Sequence, residues 1–212
     1  MVAPFFVSMP GGPLFCPKFT AERDTELCRA SQLSRHWEDA RLHAPDGCVV
    51  SKVRDFEQVL SDIQASRAEK GRALRFLVHL IQDLHQPLHV GDTGSRGGNL
   101  IQVRFFNVGS NLHRVWDSQI IEWHSTDEAT WLRELNALAT PQMVAAWSKG
   151  SVEDWATESL AQARLAYRLP GTDRLIQSGT KLGEDYCRFA LPIIQLRLAQ
   201  SAVRCNRDLA TI

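Results

Sequence analysis

Five side chains of metal-binding type fall between Phe76 and Trp123. His79 and Asp83 stand four residues apart in FLVHLIQDLH, and His113 and Asp117 repeat that spacing in NLHRVWD. At about 100° per helical residue each pair leaves its helix from nearly one face. The first pair borders the apolar arc of Phe76, Leu80 and Leu84, the second that of Trp116, Ile120 and Ile121, so both pairs are expected to point inward. A carboxylate turned toward a core is costly unless it is paired or coordinates a cation. Neutral imidazole and carboxylate are ligands that zinc accepts at about 2.0 to 2.2 Å. His89 follows Pro87, where a chain reversal would swing its ring back toward the same pocket.

Each of these residues also has a plainer reading. A single His/Asp pair at this spacing is ordinarily a helix-surface or capping interaction; the repetition, with a loop histidine between, favours metal. Gly97-Gly98-Asn99 lets backbone amides and the Asn99 side chain come close to a phosphate, although turn chemistry before a strand accounts for it equally well. Its adjacency to His89 and His113 gives it weight. His85 falls opposite the apolar arc and is expected to be exposed or to support the ligands from behind, while His124, near a helix end, is expected to pack. His36 and His43 lie in an unpatterned region and are not expected to ligate. Trp116, Trp131, Trp147 and Trp155 sit at helical core positions. No GxxxxGK[ST] or GxSxG motif and no paired-carboxylate glycosidase pattern occurs.

The elements that must carry these groups are mostly helices. Val53, Phe56, Val59, Leu60 and Ile63 predict a helix from Lys52 to about Ser66, and a second runs from Ala68 to Gln86, stopped by Pro87. Asp92 to Asn99 is a glycine-rich loop, and Leu100 to Phe106 has the composition of a short strand or hairpin arm. Ser110 or Asn111 caps a helix reaching about Trp123; others fit Asp127 to Leu138, Pro141 to Lys149, and Ser151 to Tyr167, the last with a Ser151/Asp154 capping box. The segment from Lys181 to about Ala210 is periodic, and Pro192 predicts a kink or two abutting helices. Residues 1–50 show no sustained period and are expected to be mostly irregular, with one short helix near Ala21 to Arg41; residues 51–212 form the helical metal-binding part.

Composition narrows the function. With 212 residues and 44% hydrophobic content the chain can bury one sizeable core as a single mainly α domain. Twenty-four basic residues balance twenty-four acidic ones, so no global field draws in duplex DNA or an anionic membrane, and any phosphate must be held locally. No apolar run approaches the roughly 20 residues of a spanning helix. The opening MVAPFFVSMPGGPLF lacks the basic region of a signal peptide. Cys16, Cys28, Cys48, Cys187 and Cys205 contain no C-x-x-C pair and leave the compartment and any pairing open. Oligomeric state is likewise open.

ALRFLVHLIQDLHQPLHVGDTGSRGGNLIQVRFF followed by NLHRVWDSQIIE closely resembles the zinc-dependent, single-strand-specific nucleases of the S-one and P-one type, with HxxxD, QPLH, GGN and NLHxxWD in order. The resemblance is strongest from about Lys52 to Trp123 and extends through VEDWATESLAQARLAY and GTKLGEDY. It implies a mainly helical fold related to zinc phospholipases C, up to three zinc ions in one cleft, and hydrolysis of phosphodiesters in single-stranded DNA and RNA, with 3′-nucleotidase activity in many members. His79 then resembles a ligand of the first zinc, and Asp83 the carboxylate bridging the first and third. His89, His113 and Asp117 match the protein shell of the second, and Gly98 and Asn99 the substrate-contacting motif. Members are exported, which implies a secreted or periplasmic enzyme.

The N-terminal region departs from that pattern. The family's N-terminal Trp and its G-H histidine are not found, APFFVSMP stands at the W-H-Y segment with Phe5 at the histidine, and Trp37-Glu38-Asp39 lies on the wrong side of that segment to serve as W-A-D. The expectation is a truncated or divergent member with one complete zinc shell, a second partial one, and weak or absent nuclease activity. A phospholipase C-like hydrolase and a catalytically inactive zinc-binding scaffold are the alternatives.

Overall fold

The computed structural model describes residues 49–91 and 93–211. The expectations for Phe5, Cys16, Cys28, His36, Trp37-Glu38-Asp39, His43, Cys48, Asp92 and the helix near Ala21 to Arg41 lie outside them.

The first two helices, α1 (Val49–Ser61) and α2 (Arg67–His85), join through a short loop. Ser66 starts α2 with a capping box: its side chain accepts from the Glu69 N–H while Glu69 reaches back to the Ser66 backbone. The Phe56 and Phe76 rings stack between the two helices with centroids 5.0 Å apart. Pro87 ends α2 and at once opens a four-residue helix, α3 (Pro87–Val90), where its missing N–H is no loss.

The hairpin expected near Leu100 is present as β1 (Gln102–Phe105) and β2 (Val108–Asn111), paired antiparallel through Phe106 and Asn107, both at positive φ. The periodicity at Lys181 misleads. Lys181 and Leu182 form β3, parallel to β1, because the Arg104 and Phe106 N–H groups need acceptors, found on Thr180 and Leu182. The sheet order is β2-β1-β3.

Asn111, not Ser110, caps the next helical stretch, accepting from the Arg114 N–H. That stretch is not uniform: α4 (Leu112–Arg114) runs into a π segment, Val115–Gln119, then α5 (Ile120–His124). Helices α6 (Glu128–Leu138), α7 (Pro141–Trp147) and α8 (Val152–Ala166) follow with caps from Asp127, Thr140 and Ser151, the last with Asp154 completing the capping box. The final helix, α9 (Glu184–Thr211), is a single element of 28 residues running through Pro192. Both Pro192 and Arg188, whose carbonyl loses its partner, are exposed, so the freed oxygen faces water and the helix is not split.

Two apolar clusters form the interior. One gathers Leu88, Val103, Leu112, Trp116, Trp131 and Tyr186; the other gathers Val53, Leu77, Ile81, Leu84, Val90 and Trp155. The four tryptophans expected in the core, Trp116, Trp131, Trp147 and Trp155, are all buried. Neighbours in sequence, Leu88 and Val90 enter different clusters, which leaves His89 between them at the seam. No described helix is long and apolar enough to cross a membrane.

Candidate metal centre

Three elements deliver the polar side chains to that seam: α2 brings His79 and Asp83, α3 brings His89, and the α4–π segment brings His113 and Asp117. The His79 and Asp83 side chains are 42% and 34% exposed, and Asp117 is 37% exposed. They therefore line an open-sided cleft, which corrects the expectation of core-facing pairs. Residues on the edge of an apolar arc end at the boundary of the core, and here that boundary is the cleft wall. Over Asp117 the backbone is π, closed by the Ile120 N–H on the Val115 carbonyl. The widened turn keeps Trp116 buried while leaving its neighbour Asp117 in the cleft.

The distances form a chain of imidazoles and carboxylates. His79 Nε2 lies 3.3 Å from Asp83 Oδ2, and Asp83 Oδ1 lies 3.3 Å from His89 Nδ1. His89 Nε2 is 3.3 Å from Asp117 Oδ1, and His113 Nε2 is 3.0 Å from Asp117 Oδ2. The His89 and His113 rings stack with centroids 5.0 Å apart. His89, His113 and Asp117 each offer one donor atom, all within 4.8 Å of one another.

That donor set fits a divalent metal. His89 Nε2 and His113 Nε2 approach different oxygens of the one Asp117 carboxylate, at 3.3 and 3.0 Å, so all three residues can turn a donor to a common ion with bonds of roughly 2 Å. Among the described residues the group supplies two imidazoles and one carboxylate, the three-ligand protein shell found in catalytic zinc sites. The electrostatics agree. Burial alone would lower the His89 imidazole, but Asp117 and Asp83, bonded at its two nitrogens, outweigh burial and hold it well above its ordinary value. Burial would raise the Asp117 carboxyl, yet His113 and His89 hold it well below the usual carboxylate range; Asp83 is lowered by His89 and His79 in the same way. A cation between these carboxylates replaces the proton that otherwise links them.

Backbone glycines set the ring of His113. Gly97 and Gly98 stand at φ +61° and +86°, a region L side chains rarely adopt. A Cβ on Gly97 would meet the Leu88 carbonyl oxygen at 2.5 Å, and one on Gly98 the His113 nitrogen at 3.2 Å. Released from side chains, the loop brings the Gly97 carbonyl to 2.8 Å from His113 Nδ1. With Nδ1 turned to that carbonyl, Nε2 is the ring nitrogen that faces Asp117, and it would be the one to ligate a metal.

A model of the family described as S1/P1 Nuclease matches residues 18–212. The chain belongs to the S1/P1 nuclease family. Endonuclease 4 of Arabidopsis thaliana is 37% identical over 156 residues, covering 66% of this chain and 50% of the relative. Endonuclease 3 of the same plant is 32% identical over 188 residues, 80% of this chain and 62% of the relative. Nuclease P1 of Penicillium citrinum is 30% identical over 176 residues, 74% and 64%. The chain thus spans between half and just under two thirds of the length of these curated relatives.

Within this S1/P1 nuclease family member the residues singled out from sequence sort as follows. His79, Asp83, His89, His113 and Asp117 come together. Gly98 packs against His113 and Leu112. Asn99 is exposed, its Nδ2 donating 2.8 Å to the Arg96 carbonyl across the turn. His124 packs on Trp131 and bonds Glu134 at 2.6 Å.

His85 is a correction. It is 2% exposed, donating from Nδ1 to the Ile81 carbonyl at 2.7 Å and accepting at Nε2 from Arg204 at 2.9 Å. A single helix pattern reveals one buried arc; α9 buries the opposite face of α2, and no feature of the α2 sequence announces it. Gln86 was missed as well. Its Nε2 donates 2.6 Å to Asp117 Oδ1, and its Oε1 accepts from the Leu88 N–H, capping α3. The available signal was its position directly before a helix-opening proline, where a polar side chain serves as a cap.

Proposed function

We propose that this chain is a zinc-dependent hydrolase acting on phosphodiester bonds of single-stranded DNA and RNA. The observation that carries the reading is the convergence of His89, His113 and Asp117, whose donor atoms lie within 4.8 Å of one another. These three would hold one zinc ion, and His79 with Asp83 would offer donors to a second. A zinc ion held there would supply Lewis acidity, lowering the pKa of a bound water toward neutrality and drawing charge from a phosphoryl oxygen.

The remaining steps belong to the protein. The Asp83 carboxylate spans His79 and His89 and fixes the spacing of the two donor groups. The Gly97 carbonyl holds the His113 tautomer. Gly98, at φ +86° with the place of its Cβ taken by Leu112 and His113, lets the loop pack closely on the segment that carries His113. Asn99, exposed beside it, has its Oδ1 directed away from the Arg96 bond made by Nδ2 and contacts the substrate. With zero formal net charge no global field draws in nucleic acid and phosphate must be held locally, which favours an unstacked strand that can bend into the cleft over a rigid duplex.

The test is cleavage of circular single-stranded DNA by the zinc-loaded chain, with duplex DNA and phosphatidylcholine micelles in parallel. Single-strand cleavage abolished by a chelator and restored by zinc is expected. Turnover of lipid alone would favour a phospholipase C-like hydrolase, and zinc binding without turnover of any substrate an inactive scaffold; either result overturns the proposal.

A further inference from the structure

We infer that Gln86 is a positioning residue, whose side-chain amide fixes the rotation of the Asp117 carboxylate and so selects the oxygen that shares the metal position with His113. The inference rests on the zinc reading above.

Gln86 occupies the joint between α2 and α3 and is committed at three points. Its backbone N–H donates 3.1 Å to the Asp83 carbonyl, closing α2. Its Oε1 accepts from the Leu88 N–H at 2.5 Å, and its Nε2 donates to Asp117 Oδ1 at 2.6 Å. An amide has one accepting and one donating end. Because a backbone N–H claims the oxygen, the nitrogen alone is left to face Asp117, and the amide cannot flip without losing both bonds. The bond to Asp117 is charge-assisted, stronger than a neutral pair.

The consequence is a carboxylate with two unlike oxygens: Oδ1 carries the amide, and Oδ2 lies 3.0 Å from His113 Nε2. Without Gln86 only the two imidazoles, His89 Nε2 at 3.3 Å from Oδ1 and His113 Nε2 at 3.0 Å from Oδ2, are left to set the turn of the carboxylate about its terminal bond. The joint itself is held from behind. Ser159 Oγ donates 2.5 Å to the Leu84 carbonyl, and Arg197 Nε donates 3.4 Å to the His85 carbonyl; Ser159 and Arg197 are both buried. The end of α2 is thereby tied to α8 and α9, and Gln86 carries that fixed position across to the segment bearing Asp117. Groups that hydrogen-bond a metal-ligating carboxylate typically change metal affinity by about 10- to 100-fold.

Gln86→Ser separates this role from helix capping, since serine caps a helix well but is too short to reach Asp117. Zinc affinity, the visible spectrum of the cobalt-substituted protein, and kcat and KM on single-stranded DNA are compared with wild type, alongside the thermal midpoint of the metal-free protein. We expect zinc to bind about tenfold or more weakly, the cobalt band to shift, and kcat at saturating zinc to fall with KM within twofold, while the metal-free midpoint stays close to wild type. Unchanged zinc affinity and cobalt band in Gln86→Ser, with a zinc-binding, DNA-cleaving wild type, overturn the inference and leave the nuclease reading standing. A wild type that binds no zinc overturns both. Should Gln86→Ser not fold, Gln86→Met is read by the same criteria.

Discussion

The Gly97 carbonyl oxygen lies 2.8 Å from His113 Nδ1, and a Cβ on Gly97 would sit 2.5 Å from the Leu88 carbonyl oxygen. Backbone shape and ring tautomer are therefore one feature. Gly97→Ala strains a residue at φ +61° and drives the loop off Leu88, at a cost of about 1 to 3 kcal/mol. The displaced carbonyl no longer orients His113, so zinc affinity should fall about tenfold or more. Urea denaturation of the metal-free chain and competition with a zinc indicator read the two effects; wild-type affinity in a folded Gly97→Ala protein contradicts the tautomer argument.

Behind the cleft, Glu158 bridges two guanidiniums. Its Oε2 accepts from Arg197 at 2.8 Å and Arg204 at 2.7 Å, and its Oε1 from Arg204 at 2.9 Å, with side-chain exposures of only 4% and 2% for the two arginines. Glu158→Ala leaves two buried cations without their counter-charge; because the Glu158 side chain is itself 42% exposed and solvent screens the pair, a loss of about 1 to 3 kcal/mol is expected. Arg204→Lys should not preserve stability, because one ammonium cannot keep both Glu158 oxygens, the Trp147 carbonyl and His85 Nε2. A urea midpoint within error of wild type for either variant refutes this.

What was readable in the sequence was local. Ser151 and Asp154 three residues apart specify a helix start regardless of context, and the His-x-x-x-Asp spacing puts both groups on one face wherever the helix packs. What was hidden depended on partners distant in the chain. His85 is buried by α9, over a hundred residues later; Lys181 becomes a strand only because β1 has unpaired N–H groups; the π turn at Asp117 changes the helical pitch without any residue that marks it. Gln86 was in view within QPLH, but its partner Asp117 lies 31 positions on, and spacing alone does not pair them.

The same cluster fixes the response to pH. Without metal, His89 is held well above its ordinary value, so the stability it contributes is complete below about pH 6.5 and is lost as pH rises through its folded value. Asp83 and Asp117 are held low, so their contribution is complete above about pH 4 and is lost as pH falls through their folded values. The cluster's own contribution to the metal-free protein is therefore greatest between these limits, whereas His85, held well below its ordinary value by burial and Arg197, adds stability that is lost as pH falls below about 6.5. Zinc needs neutral His89 and gains affinity with pH, so added zinc should remove the alkaline decline. Urea midpoints from pH 4 to 9, with chelator and with zinc, measure this; a metal-free midpoint that climbs steadily through pH 8 contradicts the arrangement around His89.

His113 and His79 differ in what surrounds them, and that difference distinguishes an enzyme from a scaffold. His113 belongs to the three-donor group, its ring fixed by Gly97; His79 has Asp83 beside it and a more exposed side chain, 42% against 20%. His113→Ala should abolish the rise in thermal midpoint that zinc produces, since binding to the folded state alone stabilises by about 2.7 kcal/mol at one hundred times Kd. His79→Ala should retain that rise yet lower kcat on single-stranded DNA at least 100-fold, because the second position loses one of its two described donors while the first stays filled. Were both variants to lose only stabilisation, with cleavage by the remainder unchanged, zinc would be serving the fold alone.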